Sequence, residues 1–208
     1  MPRVETIRSA MAGYAPVLQP PGSMNAAVAV TLCEDERGTN LLLIRRAERD
    51  GDPWSGHVSF PGGRVDASDA SLRHAAERET REEVGLDLST GEWLGQLDDL
   101  RGVAVPMVVS AFVFTLERPA PLVLSDEVRR AFWVPLDELL DSSRHVTEPF
   151  DYQGRAVKLP AIDVGDGDRP PLWGLTYHFL EKFFSLLGCR LPETLWRDDL
   201  QRPAQGGD

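Results

Sequence analysis

Three carboxylates and an arginine stand together at Arg78, Glu79, Glu82 and Glu83. If the stretch is helical, each residue turns by about 100°. Taking Glu79 as zero, Glu82 lies at roughly −60° and Glu83 at roughly +40°, so the three carboxylates share one face within about one turn. Such crowding is repulsive by itself. It becomes favourable around a divalent cation, since hard cations take oxygen ligands and magnesium commonly joins one or two carboxylates to substrate phosphates. Leu72, Ala76, Thr80 and Val84 follow one another at i+4, a seam for packing on a sheet. Gly85 is placed to end the helix as a left-handed cap. A glycine pair, Gly62-Gly63, opens the region, and an acidic linker with Asp66 and Asp69 leads into the helix.

The rest of the chain supplies elements to hold that face. Residues 4–14 carry Val4, Ile7, Met11 and Tyr14 at helical spacing, which predicts a short amphipathic helix packed on the domain or on a second subunit. Pro16 stops it, and a Pro-Gly linker follows. Residues 24–32 and 40–45 read as hairpin strands around a polar turn. Arg45, Arg46 and Arg49 come next, and alternation sends neighbouring arginines to opposite faces. Arg46 is taken as the candidate for substrate phosphates, which arginine recognises bidentately; a solvated charge cluster is the alternative. Residues 51–57 form a turn-rich loop in which His57 is a candidate to hydrogen-bond substrate and Trp54 to stack on it, against purely local packing for both. A short strand at 58–60 follows. Further strands are expected at 92–97, 106–116, 131–134, 145–150 and 157–162, with a turn at Gln153-Gly154. A short helix is expected at 136–140, and a final helix, entered through 170–176, reaches about residue 187 with Leu175, Phe179, Phe183 and Leu186 inward. Asp126 and Glu127 form an acidic turn just before a strand.

At 208 residues the chain suits one compact domain with short extensions: residues 1–22 as helix and linker, 23–190 as the domain, and 191–208 as a tail. The formal net charge of −11 argues against a nucleic-acid backbone or an anionic membrane as the main partner. For an anionic substrate, a metal and local arginines would have to offset that charge. Cys33 and Cys189 form no metal-ligand pattern and read as free or buried thiols of a reducing cytosol. No apolar leader and no run of about 18 apolar residues is seen, so a cytoplasmic protein is expected.

Arg78 to Leu86 resembles the second half of the Nudix box, G-x5-E-x7-R-E-U-x-E-E-x-G-U with U apolar; Thr80 is a mild departure. Starting from Gly63, the acidic residue six positions on is Asp69, and eight residues rather than seven separate it from Arg78. This spacing, with Phe-Pro-Gly-Gly ahead of it, is similar to the coenzyme A pyrophosphatase branch, although His57 stands where that branch usually has glutamine. The resemblance implies an α/β/α sandwich, of the α+β kind, with a mixed, partly barrel-like sheet. It implies magnesium or manganese held by Glu79, Glu83, Glu82 and the Gly63 carbonyl, with Arg78 orienting a glutamate and Glu127 or Glu82 assisting deprotonation of water. It further implies hydrolysis of coenzyme A or an acyl-coenzyme A to 4′-phosphopantetheine, or its acyl form, and adenosine 3′,5′-bisphosphate. The alternatives are hydrolysis of another nucleoside diphosphate derivative (a sugar nucleotide, a dinucleotide or a nucleoside triphosphate) and a nucleotide-binding module without turnover. A homodimer is compatible with the resemblance.

Overall fold

A computed structural model describes residues 2–52, 54–102, 105–152, 155–165 and 171–192. The expected turn at Gln153-Gly154, the approach to the last helix at Pro170 and nearly all of the expected tail lie outside the described residues. Strands β1 (Met24–Glu34) and β7 (Met107–Leu116) run parallel, Met24 opposite Met107 and Cys33 opposite Leu116, as the spine of an eight-stranded mixed sheet. Strand β2 (Thr39–Arg46) folds back on β1 around a turn in which Asp35 Oδ1 accepts the Arg37 and Gly38 N–H groups. β5 (Glu92–Gln96) and β6 (Leu100–Arg101) add to β7. β8 (Val128–Pro135) pairs with β2 from Asn40 to Arg46, while beyond its first residues β2 leaves β1 for β3 (Val58–Ser59) and β1 takes up β4 (Gly62–Arg64) instead. The sheet therefore splays at one end, where β3 pairs with β2 and the glycine pair with β1. β4, too short to carry a periodic signal, was legible only as the glycine pair.

Alternation along the central strands builds two cores. Ala26, Val30 and Leu32 of β1, Leu41 and Leu43 of β2, and Val109, Ala111 and Val113 of β7 face one side. Ala27, Ala29, Cys33, Leu42, Ile44, Phe112 and Phe114 face the other. The first face is covered by α1 (Val4–Ala12), through Ile7 and Met11, and by α4 (Gly174–Leu186). The second is covered by α2 (Leu72–Val84). This is the layered arrangement expected from sequence, completed by α3 (Leu136–Leu140) and a separate hairpin of β9 (His145–Tyr152) with β10 (Arg155–Ile162).

Two helix faces differ from expectation in detail. Leu72, in the first turn of α2, is exposed, and Ala75 is buried beside Ala76, Thr80 and Val84. Thr80 is tolerated at its apolar position because its hydroxyl donates to Ala76 O at 2.7 Å. In α4 the buried stripe is Thr176, Tyr177, Phe179, Leu180, Phe183 and Phe184, with Leu175 and Leu186 at its margin. The N-terminal helix is packed on this domain: Arg8 pairs with Glu92, and Asp98 accepts the Tyr14 hydroxyl and the Val17 N–H.

Candidate active site

Helix α2 begins at Ser71, whose side chain accepts the His74 N–H, and ends at Gly85 with φ +69°. The chain just before β8 satisfies its last carbonyls: Val123 N–H donates to Val84 O at 2.9 Å and Ser125 N–H to Glu83 O at 3.0 Å. Those bonds tie the segment that bears Glu127 to the end of the glutamate helix. On the other side, β4 lies so close that a Cβ on Gly63 would stand 2.5 Å from Glu79 Cδ and within 2.7 Å of both its oxygens. A Cβ on Gly62, φ +148°, would stand 2.4 Å from Ala27 O. The glycine pair is thus required by the approach of the helix on one side and of β1 on the other.

Glu83 is 2% exposed. Its Oε2 accepts the Gly62 N–H at 2.8 Å, and Arg46 Nη1 lies 3.7 Å from Oε1. Burial pushes its carboxyl up to about 8; Gly62 and Arg46 oppose the shift, while Glu79 and Glu127 add to it. Glu79 is also raised, by burial against the pull of Arg78, with Glu82 and Glu127 contributing repulsion. Glu82 is exposed and meets Arg78 Nη1 at 3.0 Å.

Arg78 holds this face together. It donates from Nε and Nη2 to the two oxygens of Asp69, each at 3.0 Å, from Nη1 to Glu79 at 2.9 Å, and from Nη2 to Arg64 O at 3.1 Å. The bidentate geometry is the strong form of the pair. It holds the Asp69 carboxyl at about 2 and raises the guanidinium. Asp69 also accepts the Asp66 N–H. The additional residue between Asp69 and Arg78 is therefore absorbed in the linker without breaking the pair.

Arg46, beside Glu83, is also held by Asp52, which accepts from Nη2 at 3.1 Å and takes the Trp54 N–H on its other oxygen. Burial works against the Asp52 anion, but those two donors keep its carboxyl below the ordinary value. His57 O accepts the Arg46 N–H at 3.0 Å. The His57 ring is lowered by burial and by Arg46, with Asp52 and Glu148 opposing. Glu127 pairs with Arg49 at 2.9 Å, and Asp126 pairs with the same arginine at 3.0 Å. Trp54 packs, half-buried, on the larger core. The aromatic rings that accompany His57 are Trp173 and, behind it, Phe150. Sequence reasoning missed these two and Asp52; an aspartate two residues before an N–H partner is a weak signal, and the aromatics come from distant elements.

Among the described residues no three acidic, histidine or cysteine side chains form a ready-made metal cage. The carboxylates instead engage Arg78, Arg46 and the Gly62 N–H. The donor set still suits a hard cation: it is all oxygen, and a cation would relieve the repulsion that Glu82 and Glu127 exert on Glu79 and that Glu79 and Glu127 exert on Glu83.

The sequence profile of the NUDIX domain matches residues 23–153. The chain belongs to that family. The Nudix box is the stretch that forms β4, the acidic linker and α2. The chain is 34% identical over 167 residues to the human mitochondrial coenzyme A diphosphatase NUDT8, covering 78% of this chain and 69% of that protein. It is 35% identical over 131 residues to the peroxisomal coenzyme A diphosphatase ndx-8 of Caenorhabditis elegans, covering 61% and 55%. Against two fission yeast relatives it spans only 33% and 55% of their length. The crystal structure of a MutT/nudix family protein from Enterococcus faecalis superimposes with a TM-score of 0.53 over 89% of this chain and 69% of that one, at 19% identity, a likeness of fold.

Proposed function

We propose that this protein is a Nudix hydrolase that uses magnesium or manganese to cleave the diphosphate bond of coenzyme A or an acyl-coenzyme A. The observation that carries the reading is the convergence of Glu79 and Glu83 on Gly62-Gly63, with Arg46 and Arg78 beside them. Glu79, Glu83, Glu82 and the Gly63 carbonyl would hold the cation. When bound, it supplies Lewis acidity and neutralises the diphosphate. Arg78, fixed by Asp69, sets the rotamer of Glu79. Arg46, aimed by Asp52, offers its guanidinium to a phosphate. Glu127 or Glu82 takes the proton from the attacking water. Water adds its oxygen to one phosphorus, the bridge oxygen leaves with the other, and the products are 4′-phosphopantetheine, or its acyl form, and adenosine 3′,5′-bisphosphate.

The two relatives named coenzyme A diphosphatases support the substrate. His57 at the usual glutamine position favours a second reading, hydrolysis of another nucleoside diphosphate derivative by the same residues. Neither reading calls for nucleic acid or membrane, and no helix among the described residues is long and apolar enough to cross one. A cytoplasmic location and a homodimer are part of the proposal; fractionation and light scattering test them. Mass spectrometry of products from coenzyme A, ADP-ribose, NADH, GDP-mannose and dGTP, with either metal, tests the substrate. Release of 4′-phosphopantetheine supports the first reading, and cleavage of a different compound selects the second.

A further inference from the structure

Two large aromatic side chains lie beside the site and outside both cores. Trp173, which precedes α4, and Phe150, on β9, are both only partly buried, and neither is among the residues that form or pack against the two apolar clusters. Their ring centroids are 5.5 Å apart at 55°. The His57 ring meets Trp173 at 5.0 Å and 59°. Tilted rings at this separation attract one another while covering only part of each surface, in keeping with the partial exposure of all three. Half-exposed aromatics with no core to join are the informative kind of exposed apolar surface.

His57 ties these rings to Arg46 and the carboxylate face. Its carbonyl holds the Arg46 N–H, and the Arg46 guanidinium stands 3.7 Å from Glu83. Glu148 lies two residues before Phe150 on the same strand, so both side chains share a face. That face is turned towards His57, on which the Glu148 charge acts. A set of half-exposed ring faces with a carboxylate at its margin suits a heterocycle that offers a stacking face and an amino group.

We propose that His57, Phe150 and Trp173 form the nucleobase subsite, taking an amino-bearing purine by stacking, with Glu148 accepting from its exocyclic amine. The assignment rests on the hydrolase reading for its place in a reaction, but its recognition chemistry is separable from turnover. Calorimetry without metal, using adenosine 3′,5′-bisphosphate and the base-free probe ribose 5-phosphate, would test it on the full chain and on Trp173→Leu, Phe150→Leu and Trp173→Phe. Removing the ring on which the base stacks predicts that at least one leucine variant binds the nucleotide about tenfold more weakly. Ribose 5-phosphate should bind all four proteins alike, and Trp173→Phe should stay close to wild type. A thermal melt shows that the variants are folded. The proposal is overturned if the wild type does not bind the nucleotide, if both leucine variants bind it unchanged, or if the base-free phosphate weakens in step. If the wild type cleaves no diphosphate with either metal while the base-dependent loss is seen, the hydrolase reading falls and the subsite stands.

Discussion

Replacing Glu83 by glutamine should stabilise the metal-free protein at alkaline pH while removing its activity. The buried carboxyl sits at about 8 in the fold against an ordinary 4.5. Between those values the native state holds more protons than the unfolded one, so stability falls as pH rises. The full slope is about 1.4 kcal/mol per pH unit. Summed from pH 4.5 to 8 this reaches about 4 kcal/mol, and relaxation around the buried group brings the expected penalty to about 2–4 kcal/mol. Glutamine cannot ionise, yet its carbonyl can keep the 2.8 Å bond from the Gly62 N–H. The two proteins should therefore match near pH 4.5 and diverge towards pH 8, the variant being the more stable. Urea unfolding with EDTA at several pH values between 4.5 and 8 reads the difference. Magnesium should then raise the melting temperature of the wild type much more than that of the variant, and diphosphate hydrolysis by the variant should drop by at least about 100-fold. Parallel stability curves across this range, or an equal magnesium shift in both proteins, would refute the assignment of Glu83 as a buried ligand.

Gly63→Ala places a methyl group 2.5 Å from Glu79 Cδ; displacing that carboxylate should lower kcat by about 100-fold and stability by about 1–3 kcal/mol. Gly13→Ala, with nothing within 4 Å of the new carbon, is the control for both assays. Asp69→Asn removes the bidentate partner of Arg78 and should cost about 2–3 kcal/mol in denaturant unfolding. Because the Asp69 carboxyl is held at about 2, below its ordinary 3.8, its contribution is present above pH 4 and fades as pH falls towards 2. The variant should therefore lack that part of the acid sensitivity. Ile7→Ala opens a cavity at a fully buried position of α1 and should cost about 2–5 kcal/mol; a loss under about 0.5 kcal/mol would contradict the packing of this helix on the domain.

Sequence periodicity carried the helices and long strands because one face of each is buried and the repeat survives. The glutamate face and the Gly85 cap were legible for the same reason: helical spacing fixes which side chains meet. What the sequence hid depends on contacts across large separations. Burial of Glu83 on the sheet side of α2 follows from where β4 crosses, and β4 spans only Gly62–Arg64. The aromatics against His57 come from residues 150 and 173, joined to it only by the return of the hairpin and the last helix. Asp52 is an ordinary turn residue until the loop folds it onto Arg46.

The charge of the chain sharpens the reading of the arginines. Arg46 is shared between Asp52 and Glu83, Arg78 among Asp69, Glu79 and Glu82, and Arg49 between Asp126 and Glu127. These arginines are not equivalent. Arg78 is held by two bonds to a carboxylate with no exposed side-chain surface, and releasing it would strand a buried charge. The contact of Arg46 with Glu83 is long at 3.7 Å, and its Nε is buried without a hydrogen-bond partner among the described residues. A guanidinium held so loosely on one side can exchange a carboxylate for a phosphate at small cost, whereas Arg78 cannot. The proposed division of labour rests on that asymmetry: Arg78 would shape the carboxylate face, and Arg46 would be the group to meet an anionic substrate.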